Sequence, residues 1–277
     1  MPTTLYVVAT PLGNLGDLSV RAAEVLRTVP VVAAEDTRRA RTLLQHVGAN
    51  PKVLSFHAHS PERSTETLLE ILGEDRDVAL VTDAGTPGVS DPGEALVATV
   101  REAGFGVVPI PGPSAVATAL SASGMPADRY LFLGFIPRKG RDREQFLRQA
   151  AQSPWTVVFY EAPPRLGALL ADLVPLAGAD RRVVVARELT KLYEEFRAGT
   201  LGELAPYYEA NEPRGEITVV LAGRGLVEEP PMSEADSAAR AAELLAGGLS
   251  KRDTVQRLVE DTGLPRNEAY RIVMGLP

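Results

Sequence analysis

Three loops of this 277-residue chain concentrate residues able to hold a polar ligand. The first is Thr10-Pro-Leu-Gly-Asn-Leu-Gly-Asp17, where Gly13 and Gly16 permit a tight turn with exposed backbone amides. The second is Thr82-Asp-Ala-Gly-Thr-Pro-Gly-Val-Ser-Asp-Pro-Gly93, with two Asp, three Gly and two Pro in twelve residues. A mere connection is seldom so long or so stiff. Its prolines fix backbone angles, its glycines allow close approach, and its acids can hold a cation or hydroxyls. The third, Pro109-Ile-Pro-Gly-Pro-Ser-Ala115, puts Ser114 at a helix N-terminus, where free N–H groups can meet a carboxylate. Together they suit an elongated ligand with amino, carboxylate and hydroxyl groups. The dinucleotide glycine fingerprint, the P-loop and the Gly-x-Ser-x-Gly nucleophile elbow are all missing from the sequence.

Other residues have two readings each. Asp36, in Glu35-Asp-Thr-Arg38, either faces the same cleft or caps the helix that follows. His57 and His59 lie two apart at a strand end; they make an incomplete metal site and fit a polar pocket wall better. Tyr160-Glu-Ala-Pro-Pro-Arg165 places an acid and a base at a strand end, for a ligand or for a local ion pair. Arg138-Lys-Gly-Arg-Asp-Arg143 is a cationic loop that is either solvated or set against phosphates.

The elements that must position these loops follow from the apolar pattern. Leu5–Ala9, Val31–Ala34, Val53–Phe56, Val78–Thr82 and Gly106–Ile110 read as buried strands. Between them Ser19–Val29, Arg39–Val47, Pro61–Leu72 and Glu94–Ala103 are amphipathic, with Ser60 and Pro61 as a helix start. That alternation predicts an α/β fold with a largely parallel sheet, its ligand loops beyond the ends of strands one, four and five. Further on, Tyr130–Leu133, Thr156–Tyr160, Arg182–Ala186, Glu194–Ala198 and Glu216–Leu221 read as strands, and Arg141–Ala151, Pro164–Leu173 and Leu201–Asn211 as helices. A hairpin around Glu188–Tyr193 makes this second sheet mixed. Capping boxes are expected at Thr200–Glu203 and Ser250–Asp253. The expected division is an N-terminal α/β domain over 1–112, a second α/β domain over 113–227, and a linker with a helix-turn-helix-like tail over 228–277. In that tail Glu228–Pro231 is the linker, Ser233–Ala246, Ser250–Thr262 and Pro265–Met274 are helices, and Gly263 is a stop.

Composition narrows the chemistry. Cysteine is absent, which excludes disulfides, zinc-thiolate sites, iron–sulfur clusters and any cysteine nucleophile. Three histidines argue against a His-rich metal site, so no metal is expected. The net charge of −7 excludes a globally basic nucleic-acid binder but leaves room for a local basic patch. No stretch approaches the roughly 20 apolar residues of a membrane span, and Met1–Thr10 lacks the pattern of a signal peptide, so the expected location is the cytoplasm.

Taken in order, the Thr10–Asp17 and Thr82–Gly93 loops, Ala34-Glu-Asp-Thr-Arg38, Ser55-Phe-His-Ala-His59, Pro111-Gly-Pro-Ser-Ala115, Gly134-Phe-Ile-Pro137 and Tyr160–Arg165 form a set. It strongly resembles the bacterial ribosomal RNA small-subunit methyltransferase I family, within the tetrapyrrole methylase superfamily (class III methyltransferases). The resemblance covers about residues 4–225 and a helical tail of the expected kind; it departs at Ala58, where an acidic residue is expected. It implies two α/β domains with S-adenosylmethionine in the cleft between them, a homodimer, and 2′-O-methylation of a cytidine in the decoding region of 16S rRNA, as free rRNA or in the 30S subunit. By the same resemblance Pro11, Leu12, Gly13, Asp83, Ala84, Gly85, Val89, Ser114 and Ala115 would contact the cofactor from the first domain. Glu161, Ala162, Pro163, Arg187, Glu188, Gly215 and Glu216 would wrap it from the second.

In-line transfer from a sulfonium depends chiefly on positioning. A ribose hydroxyl is a poor nucleophile, so Asp36 and His57 are candidate bases, and a base-free mechanism stays open. Arg38, Arg39, Arg138, Lys139, Arg141 and Arg143 are candidate RNA contacts. From Met232 on, six basic face seven acidic residues, so the tail serves either RNA contact or dimerisation and packing. Three other functions remain: a methylase of tetrapyrroles or other small molecules, a non-catalytic RNA-binding module, and a nicotinamide oxidoreductase, which the missing glycine fingerprint disfavours.

Overall fold

A computed structural model describes residues 3–57, 62–225, 234–262 and 264–276. The chain forms two compact units, Met1–Gly225 and Leu226–Pro277.

The first unit begins with five parallel strands: β1 (Thr4–Val8), β2 (Val31–Ala34), β3 (Lys52–Ser55), β4 (Val78–Val81) and β5 (Gly106–Ile110). Their order is β3-β2-β4-β1-β5. Every residue of β2 and β4 is buried, which is why these strands are unbroken apolar runs rather than alternating ones. Alternate residues serve opposite faces. Val8, Val32, Ala34, Ala79 and Val81 pack on α1 (Val20–Thr28) and α2 (Thr37–Val47) through Leu26, Leu43 and Leu44. Leu5, Val31, Ala33, Val78 and Leu80 pack on α3 (Glu62–Gly73) and α4 (Glu94–Glu102) through Leu68, Leu72, Leu96 and Val100. Each fully buried leucine stabilises this arrangement by roughly 1.5–3 kcal/mol.

The second sheet holds β6 (Tyr130–Phe135), β7 (Thr156–Glu161), β8 (Arg182–Arg187), β9 (Glu195–Thr200) and β10 (Ile217–Leu221) in the order β6-β7-β10-β8-β9. It is mixed: β6 and β7 run parallel, the other pairs antiparallel, with β8 and β9 as the expected hairpin. One face carries Val157, Phe159, Val183, Val185, Val219 and Leu221 beneath α6 (Gly140–Gln152), α7 (Leu166–Ala177) and α8 (Leu201–Ala210). The other face, with Val158, Val184, Ala186 and Val220, is covered by α5 (Ala115–Ser123) through Val116, Ala119 and Leu120, together with Leu12 and Leu189. Leu12 follows β1 and α5 follows β5, so this packing brings the carboxyl ends of the first sheet against the second.

Several elements run past their sequence patterns. Strand β6 continues to Phe135 through an irregularity between Phe132 and Phe135, and α7 continues to Ala177 despite Pro175. The Thr200 capping box forms with both of its bonds. At Ser250 only half forms: its Oγ accepts from Asp253 N at 3.2 Å, while its hydroxyl donates to Asp253 Oδ2 at 2.6 Å.

The second unit is α9 (Glu234–Ala246), α10 (Lys251–Thr262) and α11 (Arg266–Gly275) around Ala241, Val255, Leu258, Ala269 and Val273. The linker at Glu228–Pro231, Ser233, the stop at Gly263, the Ser60-Pro61 helix start, Ala58 and His59 lie outside the described residues. Among the described residues no helix is long and apolar enough to cross a membrane.

Candidate active site

Four loops leave the carboxyl ends of the first sheet, and hydrogen bonds tie them together. Thr10 and Gly85 exchange backbone bonds of 2.8 and 3.0 Å, joining the loop after β1 to the loop after β4. The Thr10 hydroxyl donates to Thr82 O at 3.0 Å. Gly85 has φ of 87°, a conformation that favours glycine. Thr86 Oγ1 donates to Pro113 O at 3.3 Å, joining the loop after β4 to the loop after β5. The loop after β2 is held by Asp36 N donating to Asp83 Oδ1 at 3.0 Å, and by the Thr82 hydroxyl donating to Glu35 Oε2 at 3.3 Å. These bonds fix the four loops to one another.

The opposing wall comes from the second sheet. At the end of β7 the buried Glu161 accepts from Ala162 N at 2.7 Å, and its Oε2 lies 3.1 Å from Arg165 Nη2. Burial raises the Glu161 pKa, against the lowering effects of that backbone bond and of Arg165. Arg165 also donates to Ile136 O and Pro137 O, at 2.9 and 3.1 Å, so it fastens the end of β6 to the end of β7. Below them, Glu188 Oε1 accepts from Glu216 N at 3.0 Å and from Lys191 Nζ at 2.8 Å. The Lys191 bond holds the Glu188 carboxyl below its ordinary range.

Between the walls lies a cavity of about 380 Å³, within the range of small-molecule sites. Of the sequence-predicted cofactor contacts it gathers Leu12, Asp83, Ala84, Gly85, Val89, Ser114, Ala115, Glu161, Ala162, Pro163, Gly215 and Glu216. Pro11, Gly13, Arg187 and Glu188 do not line it. Arg187 pairs with Glu195 at 3.1 Å, and Glu188 supports Glu216 from behind.

Neither candidate base lines the cavity. Asp36 caps α2 by accepting from Arg38 N at 2.8 Å, and the Arg38 guanidinium holds its carboxyl well below the usual carboxylate range. His57 is exposed beyond the end of β3. Of the basic candidates, Arg39 lines the cavity, 3.6 Å from Asp83 Oδ2. Arg38 is paired with Asp36 and Arg143 with Asp172, at 2.7 and 2.6 Å. Arg138, Lys139 and Arg141 are exposed around the start of α6.

Sequence reasoning missed Glu35, Thr86, Ser90, Asp91, Phe135, Tyr160, Leu189, Ile217 and Thr218, which complete the lining. Phe135 is 63 % exposed and its ring centroid lies 5.1 Å from that of Tyr160. Burial and the nearby Asp91 charge push the Tyr160 phenol up to about 12, so it stays protonated.

Residues 4–205 match the family model of tetrapyrrole (corrin/porphyrin) methylases. Ribosomal RNA small subunit methyltransferase I of Synechocystis sp. is 45% identical over 272 residues, covering 98% of each chain. Its counterpart in Escherichia coli O157:H7 is 42% identical, over 98% of this chain and 94% of its own. The chain belongs to the ribosomal RNA small subunit methyltransferase I family of tetrapyrrole methylases. It is therefore an S-adenosylmethionine-dependent methyltransferase. Two solved structures share the fold at low identity. A cobalt precorrin-4 methyltransferase superposes with a TM-score of 0.60 at 19% identity, over 79% of this chain and 94% of its own. A diphthine synthase does so with 0.61 at 17%, over 79% and 90%.

The cavity of this methyltransferase family member fits its cofactor chemically. The first N–H groups of α5, behind the Ser114 cap, point from a helix N-terminus and suit a carboxylate. Glu35, Asp83 and Asp91 make one wall acidic, which suits an ammonium and a sulfonium. Leu12, Ala84, Val89, Leu189 and Ile217 supply apolar surface for a purine and a thioether arm.

Proposed function

We propose that this chain transfers a methyl group from S-adenosylmethionine to the ribose 2′-oxygen of a cytidine in the decoding region of 16S rRNA, on free rRNA or in the 30S subunit. The observation that carries this assignment is the near-full-length similarity to enzymes named for the small ribosomal subunit RNA. The cavity supports it. Leu12, Asp83–Gly85, Val89, Ser114 and Ala115 hold the cofactor from the first sheet, and Glu161–Pro163, Gly215 and Glu216 from the second. Bound there, the cofactor supplies an activated methyl group. Pro11, Gly13, Arg187 and Glu188 shape the loops behind these contacts.

The exposed Phe135 beside Tyr160 is a platform for an unstacked base. Arg138, Lys139 and Arg141 follow it within six residues and are exposed, so phosphates flanking that base meet them. Arg39 adds a cation at the cavity wall. The lobes working around this cleft are 1–112 and 113–227, and 228–277 is the linker and helical tail. A homodimer acting in the cytoplasm, where small subunits are assembled, completes the proposal.

The test is transfer of label from methyl-labelled S-adenosylmethionine to undermethylated 30S subunits and to naked 16S rRNA, followed by nuclease mapping. Label on one decoding-region ribose supports the assignment and shows the substrate form. Cofactor binding without label on either RNA overturns it in favour of a small-molecule methylase.

A further inference from the structure

Five carboxylates line the cavity: Glu35, Asp83, Asp91, Glu161 and Glu216. Three of them have a cationic partner. Glu161 is buried against Ala162 N and Arg165, and Glu216 pairs with Lys191 at 3.1 Å. Asp83 accepts the Asp36 N–H and faces Arg39, and Glu35 accepts the Thr82 hydroxyl. Asp91 has no cationic partner among the described residues; Thr82 is its hydrogen-bond partner. One hydroxyl proton serves one acceptor at a time, so Glu35 and Asp91 compete for Thr82.

We propose that Asp91 is the catalytic base that accepts the proton of the attacking hydroxyl, an assignment that rests on the ribose-methylation function above. Asp91 shares the cavity wall with Phe135 and Tyr160, the platform for the target nucleoside. Its direction is fixed by the residue before it. Ser90 has φ of 61°, unusual for a residue with a side chain, and it packs against Gly134 of β6, itself at φ of 64°. A Cβ at Gly134 would lie 3.0 Å from Ser90 Oγ. Strained backbone of this kind persists where surrounding structure enforces it, and it clusters at functional sites. Here it docks the loop after β4 onto β6 and turns Asp91 into the cavity.

In the step, the 2′-oxygen forms its bond to the methyl carbon as the carbon–sulfur bond breaks. That bond's electron pair stays on sulfur, leaving a neutral thioether. The hydroxyl proton passes to an Asp91 carboxylate oxygen and then to solvent. Burial, with the neighbouring Glu35 and Asp83 charges, pushes Asp91 up to about 6, against the lowering effect of Thr82. A base with that value is ionised at neutral pH yet holds a proton better than an ordinary aspartate. The groups facing it are Glu35 after β2, Asp83 after β4 and Tyr160 on β7, whose phenol stays protonated, while Arg39 on α2 lines the same cavity and pairs with Asp83.

The experiment compares wild type with Asp91→Asn and Asp91→Glu. Single-turnover transfer to undermethylated 30S subunits and to naked 16S rRNA is followed from pH 5 to 8, and cofactor affinity is measured by calorimetry. At subsaturating cofactor, where the rate reports the cofactor-free enzyme, the wild-type rate rises about tenfold per pH unit below about 6 and levels off above it. Asp91→Asn loses on the order of 100-fold or more in rate even at saturating cofactor and loses that limb, a loss larger than its weaker cofactor binding explains. Asp91→Glu recovers part of the rate. A cationic sulfonium beside Asp91 lowers its pKa, so cofactor binding near pH 6 releases protons into the buffer in wild type and not in Asp91→Asn. An active wild type with a flat profile over this range overturns the proposal without any variant, and so does an equally active Asp91→Asn. A wild type that binds cofactor and labels neither RNA overturns the ribose assignment, and the base with it.

Discussion

The side chain of Lys191 lies across the α-carbon of Gly13: a Cβ at Gly13 would come within 2.8 Å of Lys191 Cε. The two residues belong to opposite walls, Gly13 to the loop after β1 and Lys191 to the β8–β9 connection. From there Lys191 reaches Glu188 and Glu216 at 2.8 and 3.1 Å. A side chain at 13 has to displace the lysine stem. Replacing it with valine evicts the lysine and releases Glu216 at the cavity edge. Lys191→Met removes the ion pairs while keeping the stem, and it should raise the cofactor Kd about two- to fivefold, with the larger effect at low salt. Calorimetric titration at two ionic strengths checks this.

Gly134 occupies a left-handed backbone position in contact with Ser90. Gly134→Ala should destabilise the first unit by about 1–2 kcal/mol from backbone strain alone. It also pushes Ser90 away, so transfer activity should fall by more than thermal denaturation accounts for. Equal losses in both measurements would separate the docking of this loop from catalysis.

Phe135 presents an exposed ring beside Tyr160 at the cavity. Phe135→Ala should weaken RNA engagement by about 1–3 kcal/mol, as for loss of one base–aromatic stack, and leave cofactor affinity unchanged. Phe135→Tyr should restore it. Steady-state KM for the RNA substrate, read beside cofactor titration, checks both.

Asp36 and Arg38 predict a pH effect on stability. The Asp36 carboxyl lies below its ordinary value of 3.8 because of Arg38. A lowered carboxylate stabilises the fold above its unfolded pKa, and that contribution disappears as pH falls toward the folded value. Asp36→Ala should therefore lower the melting temperature at pH 7, with the difference shrinking in acid below pH about 4. Melting curves at pH 7 and pH 3 decide it; a constant difference would place its role in packing instead.

Much of the fold was legible because strongly apolar runs alternate with amphipathic ones. The buried Val78–Val81 and Val31–Ala34 have no other use than the middle of a covered parallel sheet. Helix α5 was visible only by its cap at Ser114, since Ala115–Ser123 has little polar face to give it a period. The site was half legible for a similar reason. Glycines, prolines and acids mark the loops, but which acid faces the ligand depends on one-residue steps of backbone direction. After β2 the chain turns Glu35 into the cavity and spends Asp36 on a helix cap. In the Thr82–Gly93 loop the left-handed turn at Ser90 sets the direction of Asp91. Phe135 and Tyr160 meet only through the pairing of β6 with β7 and the irregularity at the end of β6, neither of which a linear pattern encodes.

The most direct measurement uses the chemistry of the product. A 2′-hydroxyl is needed for alkaline cleavage of the adjoining phosphodiester, so a 2′-O-methyl group leaves one linkage resistant. Alkaline ladders of 16S rRNA are compared from cells lacking this enzyme and from the same cells supplied with it. The expected result is a single resistant linkage at a decoding-region cytidine that appears only with the enzyme present. Identical ladders, with the purified protein still binding S-adenosylmethionine, would contradict ribose methylation of 16S rRNA.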